Sequence, residues 1–129
     1  MIDDKTLPTP RPDERQLIQA YGGGGFRIAN VEYRHAVLVL SERTLALPID
    51  DIAALLAAHL QPAIDAMPRP EIMLIGCGMR AVQIPPAARL ALRQAGIAVE
   101  VMDTGAACRT HGVLLAEGRR VAAALLPIP

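Results

Sequence analysis

Aromatic side chains are almost missing from this chain: it has no tryptophan, one phenylalanine (Phe26) and two tyrosines (Tyr21 and Tyr33). A core built with so few rings has to be assembled from Ala, Val, Leu and Ile. Hydrophobic residues still make up 52% of the 129, which excludes disorder for most of the chain. A surplus of one charge is lacking too. Thirteen Lys and Arg balance thirteen Asp and Glu, and no basic block stands out. That argues against a nucleic-acid partner, which would demand many phosphate contacts. No apolar run approaches the roughly 20 residues that span a bilayer. Met1-Ile2-Asp3-Asp4-Lys5 has neither the basic start nor the apolar run of a secretory signal. Cysteine is scarce, and Cys77 and Cys108 read as reduced thiols rather than a disulfide framework. The expectation is a soluble cytoplasmic protein with no transmembrane segment and, at this length and with no internal repeat, one domain.

Metal and cofactor patterns are absent as well. The two cysteines lie far apart and no histidine lies within four residues of another, so no ligand spacing exists and neither metal nor cofactor is expected. Gly22-Gly23-Gly24-Gly25 could in principle cradle a phosphate. No Gly-Lys-Ser/Thr follows it and the next stretch is β-like, so it reads as a turn or bulge.

What is present is organised in order along the chain. Residues 1–15, with Pro8, Pro10 and Pro12, read as a loose arm, and residues 16–129 as the domain. Gln16 to Tyr21, Phe26 to Ile28, Val31 to Tyr33, Ala36 to Leu40 and Thr44 to Leu47 read as short strands of a β-meander. The continuous apolar run Ala36 to Leu40 predicts a strand covered on both faces. Asp50 or Asp51 can cap a helix whose apolar stripe runs from Ile52 to Met67, with a kink at Pro62. His59 lies on that stripe and reads as structural. Glu71 to Ile75 is a strand ended by Gly76-Cys77-Gly78. Pro85-Pro86 and Gly96 bracket a helix over 86–95.

The stretch from Ile97 to Glu117 organises the rest: a strand, a sharp turn at Asp103-Thr104-Gly105, then a helix over 105–117. Strand, helix and strand in this order imply a right-handed parallel crossover. It brings Gly76, Cys77 and Gly78 beside Asp103, Thr104 and Gly105, at the edge where open α/β sheets tend to hold their sites. On the last helix, Ala107, Cys108, His111, Leu114 and Leu115 share one face, so His111 should be buried and neutral. Asp103 and Thr104 read as a shared cap, although Asp103 could also act as a base. Arg109 either holds a carboxylate or phosphate near the helix N-terminus, or pairs with Glu100 or Glu117. Cys77 is either a spacer in a tight loop or an accessible thiol with a lowered pKa. The apolar stretch Val121 to Pro129 offers a surface for a partner or a second copy.

Three blocks, GGGGFRIANVEYRHAVLVL, IMLIGCG and IAVEVMDTGAACRTHGVLLAEGRRVAAALLP, resemble in this order the small Mth-type domain of unknown function. That family includes a mitochondrial complex I assembly factor and an adipogenesis-associated Mth-domain protein. The resemblance covers about residues 16–127. It implies a three-layer α/β fold: a mixed central β-sheet, helices on one side, and a β-hairpin or meander layer from the N-terminal half. It carries over no catalytic residues. Family members often have Thr at the position of Cys77, and an aromatic followed by Asn at His111-Gly112. The first weakens any shared thiol chemistry.

No nucleophile, base and orienter occur together, so the reading leans away from an enzyme. It favours an interaction or assembly factor, with a respiratory complex subunit as the partner the resemblance implies. The alternative is a small-molecule or anion-binding domain, with a site formed by the 76–78 and 103–109 turns: Gly76, Cys77, Gly78, Asp103, Thr104, Gly105 and Arg109.

Overall fold

The computed structural model describes residues 15–129. The expected N-terminal arm, residues 1–15, lies outside the described residues except for Arg15. Two sheets form. The smaller is an antiparallel meander of β1 (Ile18–Gly22), β2 (Gly25–Ile28) and β3 (Val31–Tyr33). Gly23 and Gly24, at φ 61° and 84°, close the first hairpin in the left-handed region that glycine enters freely. The four glycines thus make a hairpin turn. Ala29 and Asn30 close the second hairpin at φ 49° and 68°, and Gln19 braces it by accepting from the Asn30 N–H at 2.7 Å.

The central sheet holds β4 (Val37–Val39), β5 (Thr44–Ala46), β6 (Ile72–Gly76), β7 (Ala98–Met102) and β8 (Val121–Leu125) in the order β5-β4-β8-β6-β7. It is mixed: β6 runs parallel to β7 and β8, while β4 is antiparallel to β5 and β8. All of β4 is buried, as its unbroken apolar run predicts. All of β8 is buried too. The stretch expected to offer a docking surface is therefore the middle of the core up to Leu126. Its apolar residues serve both faces of a central strand rather than a partner.

The two faces of this sheet carry separate cores, because successive side chains point to opposite sides. On one face Leu38, Met73, Ile75, Ala122 and Ala124 pack against α1 (Gln61–Ile64) and α2 (Pro86–Gln94) through Ala63, Ala88 and Leu92. On the other, Val37, Val39, Leu74, Ala123 and Leu125 pack against Phe26 and Ile28 of the meander and against α3 (Thr104–Ala116) through Ala107 and Cys108. Each such fully buried Leu, Ile or Val contributes about 1.5–3 kcal/mol. The helices thus divide: α1 and α2 share one side as expected, and α3 lies beside the meander on the other. The reason is the direction of travel. From β6 to β7 the chain moves outward; from β7 to β8 it returns past β6, and a right-handed crossover made in reverse covers the opposite face.

The stripe from Ile52 to Met67 does not make one helix. It forms 3-10 turns at Ile52–Ala54 and Ala57–Leu60, then α1, with extended backbone at Leu55 and Leu56 between the turns. Ile52, Leu55, Leu60 and Ala63 are nevertheless all buried, so the apolar spacing serves burial while the backbone departs from the helix. His59 is structural here, its Nδ1 accepting from the Leu56 N–H at 2.9 Å. Pro62 sits in the first turn of α1, where its missing N–H costs nothing.

Candidate functional site

The crossover brings the ends of β6 and β7 together. Cys77 N–H donates to Met102 O at 2.9 Å and Thr104 N–H to Gly78 O at 2.8 Å. The Thr104 hydroxyl accepts from Gly78 N–H at 2.9 Å and donates to Leu126 O at 2.7 Å. Thr104 is fully buried, and its one side chain ties the ends of β6, β7 and β8. It is a staple, and Asp103 caps α3 alone, its carboxylate accepting from Ala106 N–H at 2.9 Å. Gly76 has to be glycine for this approach: a Cβ there would lie 2.8 Å from Leu125 Cδ2 and 3.0 Å from Thr104 Cα.

Helix α3 opens at this junction, yet its turn keeps most donors for itself. Gly78, Thr104, Ala106 and Ala107 all spend their N–H groups on partners within the chain. Arg109 is exposed and curls back over the first turn, near enough that a Cβ on Gly105 would meet Nη1 at 3.2 Å. Its guanidinium donates to the Tyr21 hydroxyl at 2.7 Å. Among the described residues neither Glu100 nor Glu117 pairs with it. Sequence spacing gave no hint of Tyr21, which reaches Arg109 from the meander. The structure thus places Gly76, Cys77, Gly78, Asp103, Thr104 and Gly105 in one junction, with Arg109 over its rim.

Cys77 does not gain access from its flanking glycines. Only 9% of it is exposed, and its thiol donates to Val82 O at 3.6 Å. Burial pushes that thiol up rather than down, so the positive end of α3 does not activate it. Cys108 is buried deeper and its thiol is pushed up to about 12. His111 is 2% exposed, with no partner for Nδ1 among the described residues, and burial lowers its pKa to about 4.

Beside the junction, on the α1/α2 side, lies a cavity of about 450 Å³. Cys77, Gly78 and Leu126 line it, together with Arg34, His35, Asp50, Asp51 and Arg80. The sequence assigns Arg34-His35 to a turn and Asp50-Asp51 to a cap, and Asp51 does accept from Ala53 N–H at 2.9 Å. Only the pairing of β4 with β8 reveals that residues preceding β4 reach this edge.

Comparison with known proteins agrees with this architecture. Residues 18–126 match the family described as "Protein of unknown function (DUF498/DUF598)". An uncharacterized protein of Rhodobacter capsulatus is 39% identical over 113 residues, covering 87% of this chain and 85% of that one. The NADH dehydrogenase [ubiquinone] 1 alpha subcomplex assembly factor 3 of Bos taurus is 50% identical over 62 residues, 48% of this chain but 34% of the bovine protein. A Bartonella henselae structure described as an outer membrane protein superposes with a TM-score of 0.82 at 32% identity, covering 89% of this chain and 97% of its own. No helix among the described residues is long and apolar enough to cross a membrane. The solution structure of a Bordetella pertussis protein, a Mth938-like domain, superposes with a TM-score of 0.78 at 30% identity, covering 94% of this chain and 91% of that one. With the sheet order, the crossover and these matches in agreement, the chain belongs to the DUF498/DUF598 family, with a Mth938-like fold.

Proposed function

We propose that this chain works as a protein-interaction factor in the assembly of a respiratory complex. The observation that carries the reading is the 62-residue match to a protein named as an NADH dehydrogenase alpha subcomplex assembly factor. The shared stretch covers about a third of that protein, so the role rests on this domain contributing its own contact surface. The surface that supports it runs between β1 and α3, where Leu17, Tyr21 and Val113 are exposed and Gly112 leaves open space. Two adjoining hollows there share Gly112 and Ala116. Exposed apolar side chains grouped this way are the usual mark of a docking surface, for another protein or a second copy.

A second reading is a small-molecule or anion-binding domain built on Gly76, Cys77, Gly78, Asp103, Thr104, Gly105 and Arg109. The exposed guanidinium of Arg109 above the first turn of α3 favours it. Complementation of a strain lacking the protein, scored by assembly of its respiratory complex I, separates the two. On the assembly reading Val113→Glu abolishes rescue while Cys77→Ser and Asp103→Asn keep it. If those two variants fold but fail to rescue, the ligand reading replaces it. Loss confined to Arg109→Ala points to an anion held at that rim.

A further inference from the structure

The cavity beside Cys77 has a composition that the assembly reading does not use. It opens at the carboxyl ends of the parallel strands β6 and β8, where open α/β sheets hold ligands. The junction with α3 is closed by Thr104, so the open space lies on the other side of Cys77. At about 450 Å³ it falls within the ~300–1,000 Å³ typical of ligand cavities. Its inner wall is apolar: Ala36, Ile49, Ile52 and Leu126, all buried.

The polar rim can be accounted for group by group. Asp51 spends one carboxylate oxygen on the Ala53 N–H and keeps the other on the rim. Arg34 is drawn away to Gly23 O at 3.3 Å and Glu32 at 3.8 Å. Arg80 and Asp50 have no hydrogen bond or ion pair among the described residues. His35 Nδ1 lies 2.8 Å from Ala36 O. A carbonyl only accepts, so Nδ1 carries the proton, and in that tautomer Nε2 is left as the acceptor. The Tyr33 ring packs edge-on at 6.0 Å and helps hold that orientation.

The set left open is therefore one guanidinium with several donors, the Asp50 carboxylate, the second oxygen of Asp51 and the His35 acceptor, above an apolar wall. A simple carboxylate would bring a further negative charge beside Asp50 and Asp51. A simple amine would leave Arg80 unpaired. A ligand that carries both charges next to an apolar group satisfies all three parts at once. We propose that this cavity binds a free α-amino acid with an apolar side chain, its carboxylate on Arg80 and its ammonium toward Asp50 and His35.

Amide-detected NMR titration tests this with three matched probes: leucine, leucinamide without the carboxylate, and 4-methylpentanoate without the ammonium. Leucine should shift the amides of Ala36, Ile52, Cys77 and Gly78 saturably. Each truncated probe should bind about tenfold or more weakly, the effect of losing one charge-assisted hydrogen bond. Arg80→Gln should weaken leucine by a similar factor while leaving leucinamide as tight or tighter. Asp50→Asn should weaken leucine while leaving 4-methylpentanoate as tight or tighter, because the like charge beside its carboxylate is gone. Both residues sit on an exposed rim, so the variants should keep the native spectrum. The proposal is overturned if leucine gives no saturable shift, if its shifts map elsewhere, or if either truncated probe binds as tightly as leucine. The assembly reading stands or falls separately, since its measurement is rescue and its disruptive variant, Val113→Glu, lies on α3 away from this cavity.

Discussion

Lowering the pH from 7 to 5 should cost this protein about 2 kcal/mol through His111 alone. The ring is 2% exposed, Nδ1 has no hydrogen-bond partner among the described residues, and burial holds its pKa at about 4 against an ordinary 6.5. The sign follows from which state takes up the proton. Below pH 6.5 the unfolded chain protonates this imidazole and the folded chain does not, so acid draws the equilibrium toward unfolding. Stability is complete above pH 6.5 and falls until the folded form also protonates near pH 4. At ~1.36 kcal/mol per pH unit the whole loss is about 3 kcal/mol, a large part of the ~5–15 kcal/mol typical of a domain. Carboxylates add their own acid losses lower down. Glu71, for example, is held below its ordinary value by the Arg120 N–H and by Arg119. The interval from pH 7 to 5 therefore isolates the histidine. Urea unfolding across it should show the wild type weakening steadily, while His111→Leu stays nearly level. A parallel NMR titration should find the ring still neutral at pH 5. Wild-type stability unchanged between pH 7 and 5, or an equal loss in His111→Leu, would refute the reasoning.

Thr104→Val should cost about 2 kcal/mol in urea unfolding, because it orphans the half-buried Gly78 N–H and the buried Leu126 carbonyl, while Thr104→Ser should recover most of it. Ala29→Gly should raise stability by about 0.5–1 kcal/mol, since Ala29 sits at φ 49° where a Cβ is strained; a lower urea midpoint would contradict the turn geometry. Native protein at pH 8 should resist maleimide at both Cys77 and Cys108, with labelling appearing only as unfolding exposes them. Fast labelling of Cys77 before unfolding would mean that its loop opens.

Much of the fold is legible along the chain because it is written in local spacing. The unbroken apolar run of β4, the proline and glycine that bracket α2, and the wheel of α3 each depend on neighbours a few residues away. The crossover rule then extends that reading to a tertiary fact, the meeting of Gly78 with Thr104. Three things escape it. Ile52 to Ile64 buries a helical stripe on a broken backbone, so periodicity and conformation part company. Tyr21 meets Arg109 across 88 residues, and nothing near either position encodes the contact. The cavity gathers residues that precede β4 with residues that follow β6, and only strand order brings them together.

The place of β8 has a consequence for how the protein is made. It is the last strand in the chain, yet it lies in the middle of the sheet, between β4 and β6. Until it arrives, the β4–β5 hairpin and the β6–α2–β7 unit have no common strand and cannot share a core. A nascent chain on the ribosome therefore waits with two apolar edges uncovered, the condition in which aggregation competes with folding. Closure is one late, long-range event, which favours slow folding over early accumulation of a native half. A chain cut short before Val121 would lose the strand that joins the halves and leave both exposed.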